Sequence, residues 1–157
     1  TVRRTVAAPL TPDEIAHSAA AEHKRRAEEA ERMRQLRLDQ ALLETYRSVQ
    51  DLDSRRDREL RELDRSIREL RARESELIER QRVMIDEATH TDKSDVAASL
   101  EADIRLLDSE IAAQSSVVAA KLRERNAVVE RFEEHRRRYV ELTSAPESAR
   151  IPPMPRR

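Results

Sequence analysis

The chain lacks glycine, cysteine and tryptophan, and aromatic residues make up only 2% of its 157 residues. Without cysteine there is no disulfide framework and no zinc–thiolate site. Without glycine there is no Gly-rich loop to cradle a phosphate. Aromatic side chains supply much of the bulk of a three-dimensional core, and here they are nearly missing. These absences argue against a compact globular domain and favour thin contacts between helices.

Proline is absent from the long middle of the chain, between Pro12 and Pro146. Glycine and proline are the usual markers of turns and loops, so their joint absence predicts long helices. Charged residues make up 40% of the sequence, a level that disorder would also explain. The apolar residues are periodic rather than scarce, which favours a coiled coil. We therefore expect an all-α fold.

The charges are nearly balanced, with a formal net charge of −1. Interleaved signs give no net field to hold a polyanion, so we expect no nucleic-acid partner. The densest basic runs lie at residues 55–58 and 136–138, and acidic residues flank both. A nucleic-acid-associated coiled coil that uses these arginines remains the alternative. No apolar run approaches the roughly 20 residues needed to span a bilayer.

A complete helix-start signal stands at Thr11-Pro12-Asp13-Glu14. Thr11 is the expected N-cap, Pro12 suits the first helical position, and Glu14 completes a capping box. Residues 1–10 are expected to be extended. From Ala16 to Gln35 the sequence favours helix but has almost no large apolar side chain, which is typical of a solvated helix.

Two apolar seams with three- and four-residue steps follow, as in a coiled coil. The first seam comprises Leu42, Tyr46, Val49, Leu52, Leu60, Leu63, Ile67, Leu70, Leu77 and Met84. The second comprises Val96, Leu100, Ile104, Leu107, Ile111, Gln114, Val118, Leu122, Val129, Phe132, Tyr139 and Leu142. The step from Val118 to Leu122 indicates a stutter. The polar seam residues Asp53, Glu74 and Gln114 are expected to set the register of the helices or to mark a partner-binding notch.

Between the seams lie Thr91, Asp92 and Ser94, all plausible caps for a new helix. One continuous helix is possible, but a reversal near 91–92 would pair the two seams along their full length. We therefore predict a long antiparallel coiled-coil hairpin with an N-terminal helical overhang. Its parts are an extended segment 1–10, a hairpin 11–143 and a Pro-rich flexible tail 144–157. Within the hairpin we expect a helix 12–89, a turn 90–94 and a helix 95–143.

The histidines do not form a recognisable site. Glu14 and His17 have helical metal-ligand spacing, but a bundle metal site needs two such pairs with further carboxylates, and Glu14 has a role in the capping box. His90 and His135 are expected to be solvated. We predict no metal, no cofactor, no small-molecule ligand and no enzyme activity, because no nucleophile or acid–base constellation is present.

The expected function is that of a non-enzymatic spacer or adaptor in a larger assembly. Two helices bury little surface, so we expect self-association or docking on a protein partner through apolar residues off the main seams. These residues are Leu43, Ile78, Val83, Ile85, Val117 and Val128.

The run from Pro9 to Ala16, the segment Ala41–Leu52 and Arg55-Arg56-Asp57-Arg58 together resemble a group of uncharacterised proteobacterial envelope proteins. In that group a similar stretch opens a helical hairpin that follows a small domain of unknown function. The resemblance covers most of residues 9–142. It implies a periplasmic or secreted location and an upstream domain missing from this sequence. It implies no catalytic or binding residues.

Overall fold

The computed structural model describes residues 6–144, which form three helices and, within that range, no strand. They are α1 (Pro12–Thr45), α2 (Val49–His90) and α3 (Ser94–Ser144). The predicted all-α fold is confirmed. The expected flexible tail lies outside the described residues except for Ser144, which ends α3. Of the predicted extended segment, residues 6–10 have no regular secondary structure and residues 1–5 lie outside the described range.

The helices divide into two compact units. The α2–α3 unit spans Tyr46–Val140 and contains α2 and most of α3. The described part of the α1 unit consists of residues 6–45 together with 141–144, the last turn of α3.

The start of α1 has the predicted capping box. The Thr11 backbone N–H donates to Glu14 Oε2 at 2.7 Å, and the Glu14 N–H donates to Thr11 Oγ1 at 3.2 Å. Two amide donors that the first helical turn leaves without intrahelical partners are thereby satisfied. The pKa of Glu14 is lowered, first by the Thr11 backbone N–H and then by the Thr11 hydroxyl.

The predicted single helix over 12–89 is instead two helices, with a break at residues 46–48. Ser48 has extended backbone angles, and its hydroxyl accepts the Asp51 N–H at 3.0 Å. The Asp51 carboxylate in turn accepts the Arg47 N–H at 3.1 Å. Ser48 thus caps α2 as Thr11 caps α1, but the Asp51 carboxylate accepts from the residue before the cap and not from the cap itself. The sequence did not reveal this helix start, because it lies inside an otherwise helical pattern.

The turn between α2 and α3 occupies residues 91–93, so α3 begins one residue earlier than predicted and ends at Ser144 rather than 143. Thr91 has extended angles (φ −85°, ψ 135°), and its N–H donates to Glu87 O at 3.1 Å. Its hydroxyl accepts the Lys93 N–H at 3.4 Å. Among the described residues none has a positive φ. The turn therefore uses a threonine in the β region where many helix ends use glycine.

Within the α2–α3 unit, polar contacts join the two helices in antiparallel order. Near the turn, Gln81 Nε2 donates to Ile104 O at 3.2 Å. Farther from the turn, Gln114 Nε2 donates to Leu70 O at 2.8 Å. Positions on α2 fall as positions on α3 rise, and the same order continues through three ion pairs. These are Arg125–Asp64, Arg131–Glu59 and Arg136–Asp53.

The buried and half-buried seam positions of α3 together follow an unbroken alternation of three- and four-residue steps. The buried ones are Leu107, Val118, Val128, Phe132 and Tyr139. The expected stutter after Val118 is absent, because half-buried Lys121 and Arg125 occupy the next two seam positions. The seam therefore reaches Val128 rather than the predicted Val129. At the start of α3 it passes through half-buried Ala97, whereas the predicted Val96 is 40% exposed.

The described part of the α1 unit buries very little. Every residue from 6 to 35 is exposed, which fits the expected solvated helix. Burial begins at Leu36, and Asp39 and Leu42 are the buried residues of α1. The Gln35 side-chain amide donates to Asp39 Oδ1 at 2.9 Å and partly satisfies that buried carboxylate.

Candidate functional site

All three aromatic residues of the chain lie in one cluster of the α2–α3 unit. Tyr46 stands at the break that precedes α2, and Phe132 and Tyr139 project from α3. Their exposed fractions are 6%, 4% and 6%. The Tyr46 and Tyr139 rings meet edge to face with centroids 6.3 Å apart, a favoured geometry for aromatic pairs. A chain so poor in aromatics concentrates all of them at one helix junction.

His135 completes this cluster, which we call the aromatic cluster (Tyr46, Phe132, His135 and Tyr139). The imidazole lies 5.9 Å from the Tyr46 ring and 6.3 Å from the Phe132 ring. Its Nδ1 is 3.1 Å from the Tyr46 hydroxyl. His135 is half-buried and hydrogen-bonded, so the expectation that it would be solvated was wrong. The spacing of Phe132, His135 and Tyr139 by three and four residues was the available signal for a shared face.

The Tyr139 hydroxyl gives the cluster a structural role at the break. It donates to the Tyr46 backbone carbonyl at 3.2 Å. Carbonyls near the end of a helix lack intrahelical partners and need another donor when they are buried. The buried phenol of α3 supplies that donor where the chain leaves α1.

Two arginines flank the cluster. The Arg55 guanidinium lies 5.5 Å from the Tyr46 ring centroid, and that of Arg131 lies 5.2 Å from the Phe132 centroid. Both distances are in the range of cation–π attraction. Burial is the main cause that lowers the pKa of His135, and the positive charge of Arg131 lowers it further. The negative charge of Glu134 raises this pKa and so opposes the shift. Burial also raises the pKa of Tyr46. The cluster therefore favours a neutral imidazole beside a neutral phenol.

The basic runs singled out in the sequence are engaged with carboxylates. Arg55 pairs with Asp51 at 3.3 Å. Arg56 and Arg136 both reach Asp53 Oδ1, at 3.2 and 3.0 Å. A polyanion site needs a basic face free of such partners. These ion pairs reduce the support for the nucleic-acid alternative.

The predicted register residues fall into two groups. Gln114 bridges to the backbone of α2, and Asp53 accepts from an arginine of α3, so both tie the two helices together. Glu74 is half-buried at its seam position.

Five of the six predicted interaction residues are exposed. Ile78, Val83, Ile85 and Val117 expose 47–49% of their surface, and Leu43 exposes 37%. Val128 is the exception, because it is 6% exposed and belongs to the seam of α3. The assumed stutter had placed Val129 in the seam and so turned Val128 outward. Leu43 belongs to the α1 unit and the other five residues to the α2–α3 unit.

Leu106 was not among the predicted interaction residues, yet it is the most exposed large apolar residue of α3, at 66%. It adjoins Leu107, a seam residue. Leu106 lines a shallow groove between α2 and α3 whose other residues are Arg80, Met84, Asp103, Leu107 and Glu110.

The remaining candidate residues carry no metal site in the described part of the chain. From residue 6 to residue 144, no group of three or more histidine or acidic side chains is arranged to hold a metal ion. Glu14 serves the capping box, as described above. His90 is exposed, and its Nδ1 lies 2.8 Å from Asp86 O. None of the helices in this range is long and apolar enough to cross a membrane.

No family model, curated protein or solved structure matches this chain.

Proposed function

We propose that the chain is a structural and interaction element, a spacer or adaptor, whose α2–α3 unit is an antiparallel coiled-coil hairpin. The single observation that carries the proposal is the order of the cross-helix contacts. They run from Gln81–Ile104 near the turn to Asp53–Arg136 far from it. A pairing maintained over this length gives a defined spacing between the two ends of the hairpin.

The seam residues support the coiled-coil reading of this pairing. Buried positions on α3 repeat every three and four residues, as knobs-into-holes packing requires. On α2 the buried residues Leu63, Ile67 and Leu77 follow the same spacing. Polar seam residues, such as Gln114, cost stability but restrict the alignment of the two helices.

Exposed apolar residues support the interaction part of the proposal. Ile78 and Ile85 lie two helical turns apart on one face of α2, and they expose 49% and 47% of their surface. Single exposed apolar residues are ordinary. Two β-branched residues that share a helix face in so highly charged a chain favour a partner surface.

Spin labels on the α2–α3 unit test the hairpin. We would place them at the exposed positions 68 and 115, with the substitutions Arg68→Cys and Ser115→Cys. The chain has no other cysteine, so both labels are unique. The hairpin predicts a distance below about 30 Å, whereas one continuous helix would separate them by about 70 Å at 1.5 Å per residue. A distance near the second value would overturn the hairpin.

Site-specific photo-crosslinking in cells tests the interaction surface. A crosslinking amino acid at Ile78 or Ile85 should give an adduct larger than the single chain. The matched control is position 65, where an arginine with 64% of its side chain exposed stands on the same helix. Adducts from Ile78 and Ile85 but not from position 65 support docking. Equal labelling at all three positions, or no adduct, would contradict it.

A further inference from the structure

The outward face of α3 is unusually free of charge for this chain. No residue from Ile111 to Ala120 is charged. Leu106 and Val117 lie on this face and expose 66% and 47% of their surface. A set of exposed, uncharged residues continues the face in three- or four-residue steps as far as Ala120, with one seven-residue step to Ala127 past Arg123 and Glu124. We call this set the outer stripe. Its members are Ala102, Leu106, Ser109, Ala113, Val117, Ala120 and Ala127.

Apart from Leu106, whose mate across the centre would be Glu124, the outer stripe is nearly symmetric about Ser115. Ala113 and Val117 lie on either side of that residue, as do Ser109 and Ala120 farther out, and Ala102 and Ala127 at the ends. A two-fold axis through such a centre brings each residue of a pair against its mate on another copy. This self-complementarity is what an isologous interface requires.

The charges that border the stripe select an antiparallel second copy as its occupant. Between residues 101 and 110 four of the five charged residues are acidic, and between residues 121 and 131 four of the six are basic. Of these basic residues, Arg125 and Arg131 pair with carboxylates of α2, which leaves Lys121 and Arg123 for the stripe. Antiparallel pairing about Ser115 brings Glu110 of each copy near Lys121 of the other. A parallel pair in register would instead oppose Glu110 to Glu110 and Lys121 to Lys121, and like-charge contacts disfavour it.

Lys121 already has an ion-pair partner on its own helix, Glu124 at 2.9 Å. The ammonium group carries three N–H donors, so it can donate to a second carboxylate while it keeps its bond to the first. Glu110 lines the shallow groove beside Leu106, next to the outer stripe. The stem of Lys121 occupies a seam position, but its ammonium group reaches Glu124 outside the seam. The two charged groups therefore border the apolar face, where an interface is expected to be polar.

We propose that α3 pairs antiparallel with α3 of a second copy along the outer stripe, centred near Ser115. The inference rests on the proposed function and names the partner for one of its surfaces. The stripe is about 38 Å long at 1.5 Å per residue. A single helix face of that length buries less than the roughly 1,200 Å² of a standard stable interface. We therefore expect a weak, reversible dimer.

Cysteine crosslinking between differently substituted chains tests the geometry. Ala102→Cys and Ala127→Cys chains should form a disulfide when mixed, because the two positions are mates across the axis. Either chain alone should form no disulfide-linked dimer, because identical positions are about 38 Å apart in the antiparallel dimer. The matched control replaces Ala127→Cys with Asn126→Cys, which is exposed but turned about 100° away from the stripe. Self-crosslinking of either chain alone would establish a parallel pair and overturn the proposal.

Charge exchange tests the Glu110–Lys121 contact independently. Glu110→Lys and Lys121→Glu should each weaken dimerisation at least tenfold by sedimentation equilibrium. The double variant should recover affinity to within about threefold of the original. Within one chain the two positions are about 16 Å apart along the helix, so the recovery can only come from a contact between copies. Circular dichroism confirms that each variant keeps its helices.

The α3 pairing and the proposed function can fail independently, because different results would contradict each of them. A protein that stays monomeric at 1 mM and gives no mixed disulfide would overturn the α3 pairing. Photo-crosslinks from Ile78 and Ile85 to another protein would in that case leave the proposed function standing. Charge-exchange variants that are weakened singly and not restored together would also overturn the pairing, because they locate the two charges in different contacts.

Discussion

At the scale of single residues, the scarcity of aromatics has a structural explanation in the aromatic cluster. Most of the helix contact is made by aliphatic side chains, and the thin seam leaves little room for rings. Bulky rings are found where α1 ends and α2 begins. There, Tyr139 satisfies the Tyr46 carbonyl and His135 meets the Tyr46 hydroxyl. The cluster therefore supplies the hydrogen bonds that a helix break inside a packed unit requires.

Tyr139→Phe should lower the free energy of unfolding by about 1–3 kcal/mol, because it leaves the buried Tyr46 carbonyl without its phenolic donor. Urea denaturation followed by circular dichroism measures this change. The ring itself is retained, so the loss reports the hydroxyl alone. Phe132→Leu is the comparison that removes ring packing without removing a hydrogen bond. An unchanged midpoint for Tyr139→Phe would contradict the assigned role of the hydroxyl.

The unfolding free energy should fall as the pH is lowered from 7.5 to 5.5. Burial and Arg131 lower the pKa of His135 in the folded protein, whereas the unfolded chain has an ordinary histidine pKa of about 6.5. The unfolded state therefore binds more protons in this range, and stability is lost as the pH falls through the folded-state pKa. The groups that face the imidazole are Tyr46 and Phe132, with Arg131 and Glu134 as its charged neighbours.

Replacing this imidazole should flatten the pH dependence. His135→Gln removes the titrating group, so its unfolding free energy should change less between pH 7.5 and 5.5 than that of the original chain. His23→Gln, at an exposed position on α1, should leave the pH dependence as it was. Equal pH dependence in the His135→Gln variant and the original chain would show that another group is responsible.

At the scale of elements, two N-caps begin two helices in different surroundings. Thr11 and Glu14 start α1 at an exposed end, whereas Ser48 and Asp51 start α2 beside the aromatic cluster. In both caps a hydroxyl accepts the N–H of the residue three positions on, but only the second cap fixes a helix that buries side chains against a neighbour. The energetic value of a cap for unfolding depends on how strongly its helix is coupled to packing.

Ser48→Ala should lower the free energy of unfolding of the α2–α3 unit by about 1 kcal/mol, the usual cost of losing an N-cap hydroxyl. Thr11→Ala removes the same interaction from α1 and should shift the main urea transition very little. It should only reduce the helical signal at low denaturant, through fraying of the first turns. Equal shifts of the main transition in both variants would contradict this distinction.

The element order could be predicted only in part from the sequence. Thr11-Pro12-Asp13-Glu14 was readable because it stands at a change from extended to helical composition. Ser48 offers the same N-cap hydroxyl but is surrounded by helix formers on both sides, so periodicity masked it. In α3, Lys121 and Arg125 hide two seam positions, because their long apolar stems pack while their charges reach solvent or a partner. A pattern that counts only apolar residues therefore misplaced Val128.

The candidate surfaces were also predictable only in part. The position of a residue around the helix, relative to the seam, predicted the exposure of four residues: Ile78, Val83, Ile85 and Val117. The contact of His135 with Tyr46 depends on α3 passing the helix break, and the break itself was not predicted. Long-range pairing of this kind cannot be read from residue spacing along one helix.

At the scale of the whole molecule, the described chain varies sharply in how much side chain it buries. The segment 12–35 buries none, whereas α2 and α3 bury a continuous seam. Exposed helices of this kind are held by alanine propensity and by pairs such as Arg26–Glu22 at 2.8 Å. Each such pair contributes only a few tenths of a kcal/mol. Local opening of this segment should therefore cost far less than opening of the seam.

Hydrogen exchange should separate these two levels of stability. Amides of residues 16–35 should exchange within seconds to minutes, whereas those around Ile67 and Val118 should exchange only through global unfolding. Ala20→Gly, which costs about 1 kcal/mol in a helix interior, should speed exchange in 16–35 and leave the seam unchanged. Ile67→Ala, a core truncation that costs about 2–5 kcal/mol, should do the reverse. If residues 16–35 are protected as strongly as the seam at high concentration and lose that protection on dilution, that segment of α1 also has a partner, and α3 is not the only surface that binds a second chain.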